Sequence, residues 1–361
     1  MTVDSAKNFK PETIYLWDKI SNSFEAQRII SLFKDAEVKI VKNQKLPHFG
    51  TLSTAQALQN SKKILMLGET SSFINYFNGS IGQNMRCFPY YKLVPLSNGC
   101  PYSCVYCYLA YVYRKYGAFI KLNINYDKMV RQIKKLTTNC QHKISFNFGE
   151  MLDSLALDHI TNLTSLLVPL FKNFNNAYLM MLTKSSNIDN LLKIKPNQQV
   201  VVSWSLNPQI IADKYETGTA RLDERINAAK QCQKLGYRIR FRIDPGILYA
   251  EWKKEYALLI EKIFTNTEPE NITIGMLRLF KGHISLSKNA YNITADLFNL
   301  LTETAEDGKL RYNFQQRLEF YKFLIDTIRS YNKKVSIGIC RESWEMHDCL
   351  NQRMPLCNCI A

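Results

Sequence analysis

The sequence predicts an α/β protein: a partial (β/α)6, TIM-like barrel with a small N-terminal α/β extension and a Cys-rich C-terminal tail. Two observations carry that expectation. Strand-length apolar runs alternate with helix-length stretches between about residues 90 and 340, the pattern of a parallel sheet. The composition, 46% hydrophobic and 22% charged over 361 residues, supplies one large core without disulfide staples.

Residues 1–85 read as the extension, with an amphipathic helix in "AQRIISLFKD" and a strand in "EVKIVK". The Ser- and Gly-rich stretch 69–84 marks its boundary. The barrel, 86–340, opens with the strand "YYKLVPL" (90–96), a cysteine loop and a helix near 105–116. "KISFNFGE" (143–150) is the second strand, with a helix near 155–173. "AYLMMLT" (177–183) is the third, with a short helix near 187–193. "QVVVSWSLN" (199–207) precedes a long helix near 221–235, and "YRIRFRID" (237–244) one near 251–265. "NITIGMLRL" (271–279) leads to helices near 294–304 and 311–331. "KKVSIGIC" (333–340) is the last strand, and 341–361 is the tail.

Lys and Arg outnumber Asp and Glu 47 to 31, a formal +16. Such a surplus attracts polyanions, nucleic acid first. The drift of an AT-rich genome toward Lys, Asn and Ile would also produce it. The N-terminus lacks an apolar signal core, and no run of about 18 apolar residues suggests a membrane span. The expectation is a soluble cytoplasmic protein. Ten cysteines in a reducing compartment are then expected to bind metal or do chemistry.

Cys100, Cys104 and Cys107 fall within eight residues, at C-x3-C-x2-C, directly after the first core strand. That is the face on which parallel barrels do chemistry. Three thiolates can hold three irons of a cubane [4Fe-4S] cluster, leaving the fourth iron for a small-molecule ligand. A zinc site, which usually wants four ligands in C-x2-C pairs, and three incidental cysteines are the alternatives.

With this loop the chain resembles the radical SAM superfamily. The resemblance implies S-adenosylmethionine (SAM) at the open iron, its reductive cleavage to a 5′-deoxyadenosyl radical, and a low-potential electron donor such as flavodoxin or ferredoxin. "FGE" (148–150) looks like the superfamily's glycine–glutamate motif. Gly149 permits close backbone approach, and Glu150 could accept from the ammonium of the methionine moiety. Over nearly its full length the chain is similar to the spore photoproduct lyase family. "FKPETIYL" (9–16) resembles the family's opening, and "NGCPYSCVYCYL" (98–109) its cluster loop. "LTKSSNIDNLL" (182–192) implies that Lys184 binds the SAM carboxylate. "SWSLNPQIIADKYETGTARLDERINAA" (203–229) implies that Ser205 and Asn207 reach the SAM ribose or methionine. Tyr106 and Tyr108 would relay a hydrogen atom or shape the pocket. Arg278, Phe280 and Lys281 fall where the family engages damaged DNA, and such basic and aromatic side chains suit phosphates and bases.

Two departures from the family pattern stand out. The hydrogen-donating cysteine that follows the family's second strand is missing from "FGEMLDSLALD" (148–158), which offers only Asp153 and Ser154 as nearby polar groups or helix caps. Cys140 precedes that strand, at the wrong end of the barrel. The tail carries Cys340, Cys349, Cys357 and Cys359. These could ligate an auxiliary iron–sulfur cluster, or a structural zinc with His347. Alternatively Cys340, alone or with Cys359, supplies the hydrogen atom. The expected function is a radical SAM lyase that repairs a thymine photoproduct in DNA. The alternatives are modification of another nucleic acid or nucleotide, and a non-catalytic cluster-bearing DNA-binding or redox-sensing protein. Oligomeric state is left open.

Overall fold

A computed structural model describes residues 5–7, 9–45, 53–85, 87–97, 99–113, 119–138, 140–291, 297–351 and 357–361. Seven barrel strands lie side by side in chain order: Tyr90–Leu93, Ile144–Phe148, Ala177–Thr183, Val200–Ser205, Arg238–Gly246, Asn271–Met276 and Ser336–Ile339. Every neighbouring pair among them is parallel. The sheet has two ends, so the barrel is partial, and Ile74–Phe77 adds antiparallel at one edge. The second, fourth and sixth strands are buried at every residue. That is why they read as unbroken apolar runs rather than alternating ones. Crossover helices follow, among them Leu163–Phe171, Leu222–Leu235, Trp252–Asn266 and Phe314–Tyr331. Among the described residues, no helix is long and apolar enough to cross a membrane.

Residue 85 is not a boundary between sheets. The second sheet runs Glu37–Val41, Thr13–Trp17, Ile64–Gly68, Ile120–Asn123, Leu96–Ser97, and its last two strands come from beyond residue 85. Ile74–Phe77, from before residue 85, edges the main sheet instead. The predicted strand 90–96 divides between the two sheets on either side of Val94 and Pro95, and proline has no N–H to continue a ladder.

Other elements differ in detail. The helix near 105–116 is Tyr108–Val112, and residues 114–116 lie outside the described ones. The helix near 155–173 is two, Asp158–Thr161 and Leu163–Phe171, broken at Asn162 with φ +51°. The short helix near 187–193 is one 3-10 turn, Leu191–Lys193. In the stretch predicted helical at 294–304, Leu301–Thr304 is a strand, and 294–296 lie outside the described residues. It pairs with Leu310–Tyr312, which also pairs with Arg278–Leu279. Tyr126–Thr137, Gln209–Tyr215 and Lys281–Tyr291 are helices that the sequence reading did not anticipate.

The C-terminal segment is not a free tail. After the short helix Trp344–Cys349, residues 357–361 run against polar side chains of four barrel strands. The Asn358 backbone N–H donates to Thr273 Oγ1 (3.0 Å), and its Nδ2 donates to Ser203 Oγ (2.7 Å) and the Phe241 carbonyl (2.8 Å). The Ala361 N–H donates to Ser145 Oγ (2.9 Å). Arg240 Nη1 donates to the carbonyls of Cys357 (3.0 Å) and Ile360 (2.5 Å). These bonds account for otherwise costly buried polar groups inside the barrel.

Candidate active site

The cysteine loop is pinned on two sides. Ser103–Cys104 pairs antiparallel with Glu216–Thr217, and the Val105 N–H donates to the Tyr215 carbonyl (2.9 Å). The Val105 carbonyl accepts from His283 Nε2 (3.2 Å) and Ser287 Oγ (2.9 Å). So held, Cys100, Cys104 and Cys107 all open on one cavity of ≈ 290 Å³ at the C-terminal ends of the strands. All three thiols are free. Burial pushes the Cys104 thiol up to about 12. Among the described residues no three His, Cys, Asp or Glu side chains meet as ligands of a single ion. Three thiolates on a cubane bind three different irons, so a loop of this kind faces a common space without converging on one point.

Against the loop stands a buried charge cluster. Lys184 Nζ lies 2.7 Å from Glu216 Oε1 and donates to Ser205 Oγ (2.9 Å) and Tyr106 OH (3.3 Å). Arg225 Nη2 lies 2.7 Å from Glu216 Oε2. Tyr106 OH also donates to Glu216. Burial by itself would raise the Glu216 pKa, but Lys184 and Arg225 outweigh it and hold the carboxyl well below the usual range. Tyr106, Lys184 and Ser205 line the cavity. Asn207 does not. It stands behind the cluster, donating to Glu216 Oε1 (2.9 Å) and accepting from Tyr256 OH (3.0 Å). Glu216 is a functional residue that sequence reasoning missed: it follows the helix Gln209–Tyr215 directly, and nothing in the sequence around it marks it as buried.

Gly149 ends the second strand at φ +150°, where a Cβ would sit 2.6 Å from the Leu182 carbonyl oxygen. Glu150 lines the cavity and accepts from Tyr90 OH and from Arg341 Nη2 (3.3 Å). Asp153 and Ser154 are organising groups. Asp153 accepts from the N–H groups of Leu155, Ala156 and Lys184 (3.1, 2.9 and 2.7 Å) and from Thr183 Oγ1 (2.6 Å). It therefore sets the backbone from which Lys184 projects. Ser154 Oγ ties the second strand's end to the third through the Phe148 and Leu182 carbonyls.

The far wall is cationic. Asp244, closing the fifth strand, is shared by Arg242 Nη2 (2.6 Å) and Arg278 Nη2 (2.9 Å), which hold its carboxyl well below the usual range against burial. Behind these lie the tail thiols. Arg242 Nη2 donates to Cys340 Sγ (3.1 Å), and Arg278 Nη2 approaches it at 3.5 Å. Cys340 thus touches the wall of the cavity without lining it. Cys340, Cys357 and Cys359 surround a small separate cavity with Cys87 and His347. A hydrogen bond from Cys357, with help from Arg242, brings the Cys359 thiol down to about 7 despite burial. The four predicted tail thiols are not brought together: Cys349 is exposed and absent from that cavity, and Cys87 stands in its place.

At the mouth, Tyr108 is 47% exposed and its ring lies 6.3 Å from that of Phe280. Arg278 lines the cavity. Lys281 does not; it is exposed at the start of its helix. The lysine at the opening is Lys309, on the antiparallel hairpin, with Nζ 5.4 Å from the Tyr108 ring and 5.2 Å from that of Phe280.

A family model for spore photoproduct lyase matches residues 9–299. The chain is 28% identical over 171 residues to the spore photoproduct lyase of Bacillus subtilis and 26% over 173 residues to that of Clostridium acetobutylicum. Each match covers 47% of this chain, and the chain spans about half the length of the curated relatives it matches. Its shape is similar to a spore photoproduct lyase complexed with dinucleoside spore photoproduct, at TM-score 0.77 and 18% identity, covering 92% of this chain and 98% of that one. A mutant spore photoproduct lyase with bound AdoMet and dinucleoside spore photoproduct matches at TM-score 0.76 and 18% identity over the same shares. At such identities the likeness is one of fold.

Proposed function

The chain belongs to the spore photoproduct lyase family, and on that premise we propose that it is a radical SAM lyase that repairs a thymine photoproduct in DNA. The carrying observation is that three free thiols, Lys184 held by the buried Glu216, and an arginine wall open on one cavity.

The residues fit the implied cofactors. Cys100, Cys104 and Cys107 would hold a [4Fe-4S] cluster. The methionine part of SAM is a zwitterion, and the cavity offers both complements: the Glu150 carboxylate for its ammonium and the Lys184 ammonium for its carboxylate. Ser205 would take a hydroxyl beside them, and Gly149 keeps the wall clear of a side chain. When bound, cluster and SAM supply radical chemistry, started by an electron from a low-potential donor such as flavodoxin or ferredoxin. Glu216 keeps Lys184 Nζ aimed, and Tyr106 shapes the pocket with its hydroxyl committed to Glu216. Tyr108 and Phe280 offer flat faces at the mouth, and Arg278 a charge for the nucleic acid. Cys340 is the candidate hydrogen donor, because its thiol is bound to two arginines of the cavity wall. A second cluster or a zinc ion at the tail is the weaker reading. The cavity among Cys87, Cys340, Cys357 and Cys359 is ≈ 20 Å³, room for about one water. Modification of another nucleic acid keeps one support, the absence of a cysteine in "FGEMLDSLALD".

The test is anaerobic. The protein is reconstituted with iron and sulfide and given SAM, dithionite and an oligonucleotide containing spore photoproduct. Chromatography follows 5′-deoxyadenosine and restored thymidine. Repair is expected, abolished in Cys104→Ala and weakened in Cys340→Ala. SAM cleavage without repair would move the reading to another nucleic acid substrate; no SAM cleavage would leave a non-catalytic protein.

A further inference from the structure

Among the described residues Lys309 lines the cavity without an ion pair. It follows the tight turn at Gly308 (φ +72°), where the Ala305 N–H donates to the Lys309 carbonyl (3.1 Å). The turn swings its ammonium over the Tyr108 and Phe280 rings and into the cavity lining. The acids around it are taken. Asp307, on the same turn, is bound by Arg311 Nη1 and Nη2 (2.7 and 2.9 Å). Glu306 is bound by Asn84. Asp244 is shared by Arg242 and Arg278, and Glu150 is held by Arg341 and, at 3.7 Å, Lys92. Among the described residues no carboxylate makes an ion pair with Lys309.

Four cations, Arg242, Arg278, Arg341 and Lys92, therefore occupy Asp244 and Glu150 and leave neither carboxylate to Lys309. Burial, then Arg278 and Arg341, draw the Lys309 ammonium down to about 8. Aromatic faces compensate a partly buried cation only in part. A charge kept at that cost is compensated once an anion arrives. Lys184, on the opposite wall, has its own carboxylate in Glu216, so the uncompensated charge lies on the substrate side.

We propose that Lys309, with Arg278 beside it in the cavity lining, forms a subsite for a phosphate group of the substrate, the phosphodiester that joins the two linked nucleosides. The proposal rests on the repair reading and names the group of the substrate that this wall recognises. The aromatic rings beside Lys309 then meet the base or sugar next to that phosphate.

The test measures equilibrium binding to the reconstituted, SAM-loaded protein without reductant. Two probes are compared: spore photoproduct as a dinucleotide with its bridging phosphodiester, and as a dinucleoside without it. Wild type is expected to prefer the dinucleotide roughly tenfold or more, the size of a charge-assisted contact. Lys309→Met is expected to abolish that preference while binding the dinucleoside within about twofold of wild type; its dinucleoside affinity doubles as the folding control. Lys309→Arg is expected to retain the preference. An equal loss for both probes in Lys309→Met, or no preference in wild type, would overturn the subsite and leave the repair reading standing. Wild type that binds neither probe would overturn both.

Discussion

Glu216 shows how one residue organises this site. Its carboxylate is fully buried, and each oxygen faces a cation 2.7 Å away. Removing the charge strands two buried cations, which costs far more than a surface pair is worth. Glu216→Gln is expected to destabilise the fold by about 3–5 kcal/mol, measured by urea denaturation. The cluster cysteines stood out in the sequence because their type and spacing carry chemistry, whereas Glu150, Lys184 and Ser205 were singled out through the family resemblance. Glu216 was not, since a glutamate among turn residues looks like any surface acid until Lys184 and Arg225 close on it. The resemblance implied Asn207 at the SAM site, yet its side chain turns to Glu216 and Tyr256.

Among elements, the C-terminal segment departs most from expectation. A polar, cysteine-bearing stretch of five residues carries no periodicity, so nothing in it announces that it packs into a barrel. The complementary signal was spread over Ser145, Ser203, Arg240 and Thr273, polar residues inside apolar strands. Asn358 satisfies two of those strands through one amide. Asn358→Ala is expected to cost about 1–3 kcal/mol, the penalty for orphaned buried partners, seen as a lower midpoint in thermal denaturation. Leu301–Thr304 was misjudged for a related reason: its strand state comes from its partner Leu310–Tyr312, not from its own pattern.

At the scale of the whole molecule, two sheets interlock and the cysteine loop is clamped between distant segments. His283 is one clamp, donating to the Val105 carbonyl and stacked 5.4 Å from Tyr111. Burial lowers its pKa from 6.5 to about 4. The unfolded chain therefore takes up a proton first as pH falls. The stability from neutral His283 is complete above about pH 6.5 and is lost as pH falls from there toward 4. Thermal midpoints measured from pH 7.5 to 4.5 should fall across that window, and His283→Gln should flatten the slope. Glu216 and Asp244, held low by their cations, add pH dependence only further into acid.

The sequence by itself determined the alternation of strand and helix, the cysteine loop and its place after the first barrel strand. Those are local matters: side-chain period, turn residues and ligand spacing act within a few residues. The tertiary structure alone decided that strands cross residue 85 in both directions, that the C-terminal residues enter the barrel, and that Lys309 rather than Lys281 reaches the cavity. Each of those depends on contacts between residues far apart in the chain. Burial, and the charge pairing it enforces, exists only once those contacts form.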